Sequence, residues 1–154
     1  MAKSSSSKSN AQMIEHLIDV LSGTYVLAVK THGYHWNVTG PLFPQLHAML
    51  DEQYKALLEA ADTVAERIRA LEYPAPGGMA TFLKNSPIKE ASGDSLSAAA
   101  MIKDLLRSHE QLRTCIEEAI EVADDMDDDA TEDVMIERLR DHDKTIWMLR
   151  SQVA

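Results

Sequence analysis

The sequence predicts an all-α protein: four long helices packed as an up-down bundle, with a short helix in the long middle connection. Apolar residues recur at steps of three and four along four stretches, and no stretch alternates apolar with polar residues as a half-buried strand would. Dense groups of breakers, Gly40-Pro41 and the run from Pro74 to Gly78, fall between stretches, where helices must stop. At 154 residues the chain is one domain's worth and long enough to enclose a core.

Residues 1–10, MAKSSSSKSN, are serine-rich and read as a flexible N-terminal tail, leaving 11–154 as the bundle. Ile14, Ile18, Leu21, Tyr25, Ala28 and His32 mark the buried stripe of a first helix running to about Asn37. A second helix is expected from about Pro44, a residue suited to a first turn, to Leu71, with Leu46, Leu50, Leu57, Val64 and Ile68 on its inner side. A short helix around Met79–Lys84 follows. The third starts near Asp94 or Ser95, either of which can cap it, and continues to about Ala123. The fourth runs from about Thr131 to Gln152. Helices joined in this way, with one longer crossover, make a ferritin-like four-helix bundle.

Composition narrows the function classes. A formal net charge of −10 argues against a body that binds nucleic acid through its own field. No apolar run approaches the roughly 20 residues of a membrane helix, and the polar N-terminus has no signal-peptide core, so a soluble cytoplasmic protein is expected. The single cysteine, Cys115, lies in an apolar helical pattern and reads as a packing thiol.

Chemistry concentrates between His35 and Glu66. Five side chains there can ligate a metal: His35, His47, Asp51, Asp62 and Glu66. The last four share the second helix. His47–Asp51 and Asp62–Glu66 are each one i,i+4 step, and all four fall within about 100° of one another around the axis. That stripe is more than ~120° from the apolar one, so it faces away from the chain's own core. Asp51 and Asp62 are about 16 Å apart along the helix, whereas a metal–ligand bond is about 2 Å. If all four are ligands, an antiparallel second copy must bring its Asp62–Glu66 pair against this copy's His47–Asp51 pair. Imidazole with several carboxylates suits iron(II), manganese or zinc, and an oxygen-rich open site suits iron redox chemistry. Each residue taken singly is more often a solvated side chain, and the whole stripe has that bland reading too. The Glu-x-x-His motif of an intra-bundle di-iron centre is missing.

His35-Trp36-Asn37, then His47-Ala-Met-Leu-Asp51, then Asp62-Thr-Val-Ala-Glu66-Arg67 resemble the ferroxidase signature of the Dps family, the mini-ferritins. The likeness extends over essentially the whole chain. It implies a dodecameric homo-oligomer with iron sites across two-fold dimer interfaces, oxidation of Fe(II) preferably by hydrogen peroxide, and storage of ferric mineral that protects the cell and its DNA. His35, His47 and Asp51 would come from one subunit, and Asp62 and Glu66 from its partner.

Flanking residues carry two readings each. Trp36 is a candidate electron relay beside the iron, or a packing aromatic. His32 is one turn before His35 and could pair with it on a metal, or serve as a hydrogen-bonded interface residue. His109 and His142 fall on apolar stripes and read as hydrogen-bonded core histidines. The acidic segment ADDMDDDATED reads either as a turn whose carboxylates cap the last helix or, by the family resemblance, as the lining of an iron-entry pore with Asp133 and Glu137 inside and Asp128 at its mouth. DNA binding should be weak or absent, since Lys3, Lys8 and the terminal amine are few against an acidic body. The alternative function is a DNA-compacting, nucleoid-associated protein whose metal sites are mainly structural.

Overall fold

The structure is a computed structural model that describes residues 2–93 and 95–153, with side chains from residue 10 onward. Its elements are α1 (Ala2–Asn37), α2 (Phe43–Ala70), α3 (Met79–Asn85), α4 (Ala98–Asp125) and α5 (Asp129–Gln152). Among the described residues there is no strand. α1 packs along α2, α4 packs along α5, and α1 crosses to α4 to join the two hairpins. The short α3, in the crossover, lies against α1 and stacks Phe82 on Tyr25 at 4.5 Å. Leu17, Leu21, Leu50, Ile68, Ile116 and Met135 are among the residues wholly enclosed between these layers. All sit on the stripes of period 3.6 that define each helix.

Three boundaries differ from the sequence reading. The backbone of residues 2–10 continues α1, because nothing in that run, which lacks proline and glycine, stops a helix; Met1 and the side chains of 2–9 lie outside the described residues. α4 begins at Ala98 rather than near 95, with Ser97 Oγ accepting from the Ala100 amide at 3.2 Å; the other cap candidate, Asp94, lies outside the described residues. α4 also continues to Asp125, so that the acidic segment is a tight turn. Asp127 takes a left-handed φ of 53° there, a conformation aspartate tolerates, and Asp128 caps α5 by accepting from the Thr131 amide at 3.1 Å.

Two polar links, one buried and one half-buried, fix the helices against one another. Lys30 of α1, 4% exposed, donates to Ser108 Oγ and pairs with Asp104 Oδ2, both at 3.0 Å, while Tyr34 donates to the same carboxylate at 2.8 Å. Burial pushes the Asp104 carboxyl up, but the hydrogen bonds from Tyr34 and Lys30 outweigh it and hold the group below the usual range. Burial and the hydrogen bond to Asp104 push the Tyr34 phenol above its ordinary value. At the other end, Arg67 of α2 donates to Asp128 Oδ1 and to Thr131 Oγ1, each at 2.8 Å, clamping the acidic turn to the helix that carries Glu66.

Candidate metal centre

The α1–α2 turn is where the chemistry is assembled. Gly40, at a φ of 106°, lets the chain reverse after α1, and Pro44 sits in the first turn of α2 without breaking it. The reversal lays the last turn of α1 beside the first turns of α2. His35 and His47 stack there, ring centroids 3.8 Å apart and planes 15° from parallel. Each ring reaches the other's backbone: Nδ1 of His35 donates to the His47 carbonyl and Nδ1 of His47 donates to the His35 carbonyl, both at 2.8 Å. A carbonyl oxygen can only accept, so both Nδ1 atoms must carry the proton. In the neutral ring that leaves a lone pair on each Nε2, the tautomer and orientation a metal requires. The same bond satisfies a carbonyl at the C-terminal end of α1, which has no partner within its own helix.

Asp51 completes the cluster one turn further along α2, with Oδ1 3.9 Å from His35 Nε2. Its other oxygen accepts from the Lys55 ammonium at 2.6 Å, and that contact holds the Asp51 carboxyl below the usual range. Lys55 was not singled out from the sequence, although its i,i+4 spacing from Asp51 is visible there. Tyr54 was also overlooked. Its ring stacks on His32 at 3.8 Å and 15°, and His32 in turn lies 4.0 Å from Trp36. His32 is thus held between two aromatics, with its centroid 6.0 Å from that of His35. Trp36 is 65% exposed, so within one chain it packs on one face only.

Asp62 and Glu66 lie exposed on the same face of α2, with Leu58, 39% exposed, between them and the histidine cluster. Among the described residues of one chain, no three histidine, cysteine or acidic side chains meet as a metal-binding group. The chain therefore carries two separated half-sets of donors along one helix: His35, His47 and Asp51 near its start, Asp62 and Glu66 beyond its middle. Of the acidic turn, Asp128 is engaged with Arg67 and Thr131 as a cap, while Asp133 and Glu137 project exposed from α5. His109 and His142 form the other histidine pair, buried in the bundle with their Nδ1 atoms 2.9 Å apart.

Residues 14–154 match the ferritin-like domain family. The "DNA protection during starvation protein" of Brevibacillus brevis is 35% identical over 143 residues, covering 90% of this chain and 95% of that protein. Among solved structures, Dps from Bacillus brevis superposes with a TM-score of 0.92 at 32% identity, covering 96% of this chain and 98% of the other. This chain belongs to the Dps family. The Dps protein of Vibrio cholerae, described as a member of a broad superfamily of ferritin-like diiron-carboxylate proteins, superposes with a TM-score of 0.90 at 28% identity, covering 96% of this chain and 92% of that one. The four-helix bundle with its short crossover helix is thus the Dps fold. Among the described residues, no helix is long and apolar enough to cross a membrane.

Proposed function

We propose that this Dps protein oxidises Fe(II), preferably with hydrogen peroxide, and stores the ferric product inside a dodecameric shell in the cytoplasm. His35, His47 and Asp51 of one subunit and Asp62 and Glu66 of its two-fold partner would hold the iron. The observation that carries this reading is the reciprocal bond between the two histidines and each other's carbonyls. In the neutral rings it leaves both Nε2 atoms free to accept, with Asp51 Oδ1 3.9 Å from that of His35, and such donors suit a borderline cation such as ferrous iron. Exposure of Asp62, Glu66 and Leu58 on the same helix face supplies the surface on which an antiparallel copy would settle.

In this reading iron is a substrate. The histidines would bind it through Nε2, the nitrogen that their bonds to backbone carbonyls leave uncommitted. The carboxylates balance its charge, and Asp51 would offer Oδ1 while the Lys55 ammonium on Oδ2 competes with the cation for its charge. Two electrons from two ferrous ions, with two protons taken from solvent, would reduce one hydrogen peroxide to two waters, a stoichiometry that avoids one-electron radical products. Trp36, exposed beside the site, is the candidate relay for stray oxidising equivalents. Asp133 and Glu137 are candidate pore carboxylates drawing cations inward, whereas Asp128 already serves as a cap.

The test is rapid mixing of iron-free protein with Fe(II) and peroxide. Fast oxidation with a soluble ferric product is expected, and an unchanged rate in Asp62→Ala/Glu66→Ala would overturn the site. The second reading, DNA compaction with structural metals, draws on the names of the relatives, yet the net charge of −10 opposes it. Gel retardation across salt concentrations, with and without residues 1–10, separates the two: no shift at any salt removes it.

A further inference from the structure

A half-open cavity of about 260 Å³ lies between α2, α4 and α5, apart from the His35–His47 cluster. It is lined by Gln53, His109, His142, Arg138 and the two thioethers of Met49 and Met148. Its walls hold an unusual concentration of unanswered polarity. Among the described residues, four bury side-chain nitrogen or oxygen atoms with no hydrogen-bond partner in the protein, and three of them line this one cavity: Gln53 with both amide atoms, His109 through Nε2, and Arg138 through Nε. His109 is only 2% exposed. Buried polar groups almost always have partners, and leaving one without costs about 1–3 kcal/mol, so such a cluster points to a guest that supplies them.

The donor and acceptor inventory defines that guest. Arg138 Nε and the Gln53 amide nitrogen can only donate. His109 and His142 share one proton between their Nδ1 atoms; when His142 donates it, His109 carries its own proton on Nε2 and becomes a third donor. The Gln53 carbonyl can only accept. In that tautomer three donors and one acceptor match a small anion that still bears one hydroxyl. A metal cation is disfavoured by the Arg138 guanidinium, and no third histidine, cysteine or acidic ligand joins the pair among the described residues. Lys144 and Arg138 face the cavity together with Glu52 and Asp141, so the guest's charge is modest. We propose that this cavity binds a small protonated oxyanion, of the hydrogenphosphate or hydrogencarbonate class. The inference is independent of the iron reading.

Calorimetric titration of the iron-free, full-length assembly with sodium phosphate, and separately with bicarbonate, at matched ionic strength in chloride, tests it and tells the two sources apart. One saturable site per chain is expected for at least one of them. Gln53→Met, close in volume, should weaken binding at least ten-fold while leaving iron oxidation unchanged. In ¹⁵N-histidine-labelled wild-type protein, the imidazole signals of the buried pair should move on addition of the same anion, which keeps the test decisive if the variant fails to fold. No saturable binding of either anion at millimolar concentration, binding undiminished by Gln53→Met, or unmoved imidazole signals would each overturn the proposal.

Discussion

The molecule contains two histidine pairs, and they are used in opposite ways. In both, the rings lie close: centroids are 3.8 Å apart for His35–His47 and 4.9 Å for His109–His142. The difference is where the Nδ1 protons go. His35 and His47 give theirs to backbone carbonyls, which in the neutral rings leaves both Nε2 atoms as acceptors, that of His35 3.9 Å from Asp51. His109 and His142 spend Nδ1 on each other, so one ring of the neutral pair is obliged to carry its proton on Nε2. Burial drives both of the latter down: His109 falls well below its ordinary value, and His142, with Arg138 adding to the effect of burial, falls to about 4. Proximity of two imidazoles therefore says little about ligation. The partner of the far nitrogen decides it.

The largest expected effect comes from breaking the first pair's half of the site in one chain and the carboxylate half in another. His47→Ala/Asp51→Ala and Asp62→Ala/Glu66→Ala should each slow iron oxidation by on the order of 100-fold, since both remove direct ligands. Unfolded, mixed in equal amounts and refolded together, the two inactive variants should recover about a quarter of wild-type activity, because each mixed dimer rebuilds one of its two sites. Recovery of nothing would show that the halves do not meet across a two-fold axis.

Acidity should distinguish the second pair. With its folded pKa at about 4 against 6.5 for an ordinary histidine, His142 binds fewer protons folded than unfolded throughout that window. Stability then rises with pH across it; equivalently, about 3 kcal/mol is lost as pH falls from about 6.5 to 4. Chemical denaturation at several pH values measures the slope, and His142→Phe should reduce it, leaving the part that buried His109 contributes. His109→Leu carries a smaller effect, about 1–3 kcal/mol of destabilisation from leaving the His142 nitrogen without its partner, read as a lower denaturation midpoint. The smallest effect belongs to Lys55→Ala. Removing a solvent-exposed competitor for Asp51 should tighten zinc binding, measured without redox chemistry, by no more than about five-fold.

How much of this the sequence carried can be traced residue by residue. The α2 stripe was legible because period 3.6 alone puts His47, Asp51, Asp62 and Glu66 on one face and Leu46, Leu50 and Leu57 on another. The long crossover and its short helix followed from Gly and Pro placement. The start of α4 did not, since several residues near Ser97 cap a helix equally well and tertiary packing chooses among them. Nor did the His109–His142 bond, which spans 33 residues and depends on the register of α4 against α5. The reciprocal histidine–carbonyl bonds lay furthest from view. They need the exact length of a turn, and no periodicity encodes that.

That turn has a consequence for how this chain tolerates change. The connection from Val38 to Leu42 contains no proposed ligand, yet it alone sets the distance at which each ring meets the other's carbonyl. Surface connections ordinarily accept added residues at little thermodynamic expense. Here a single inserted residue would free both imidazoles to rotate and exchange tautomers while the helices stayed folded. In a scan of insertions along the chain, this stretch should stand out as the place where length is fixed by chemistry rather than by folding.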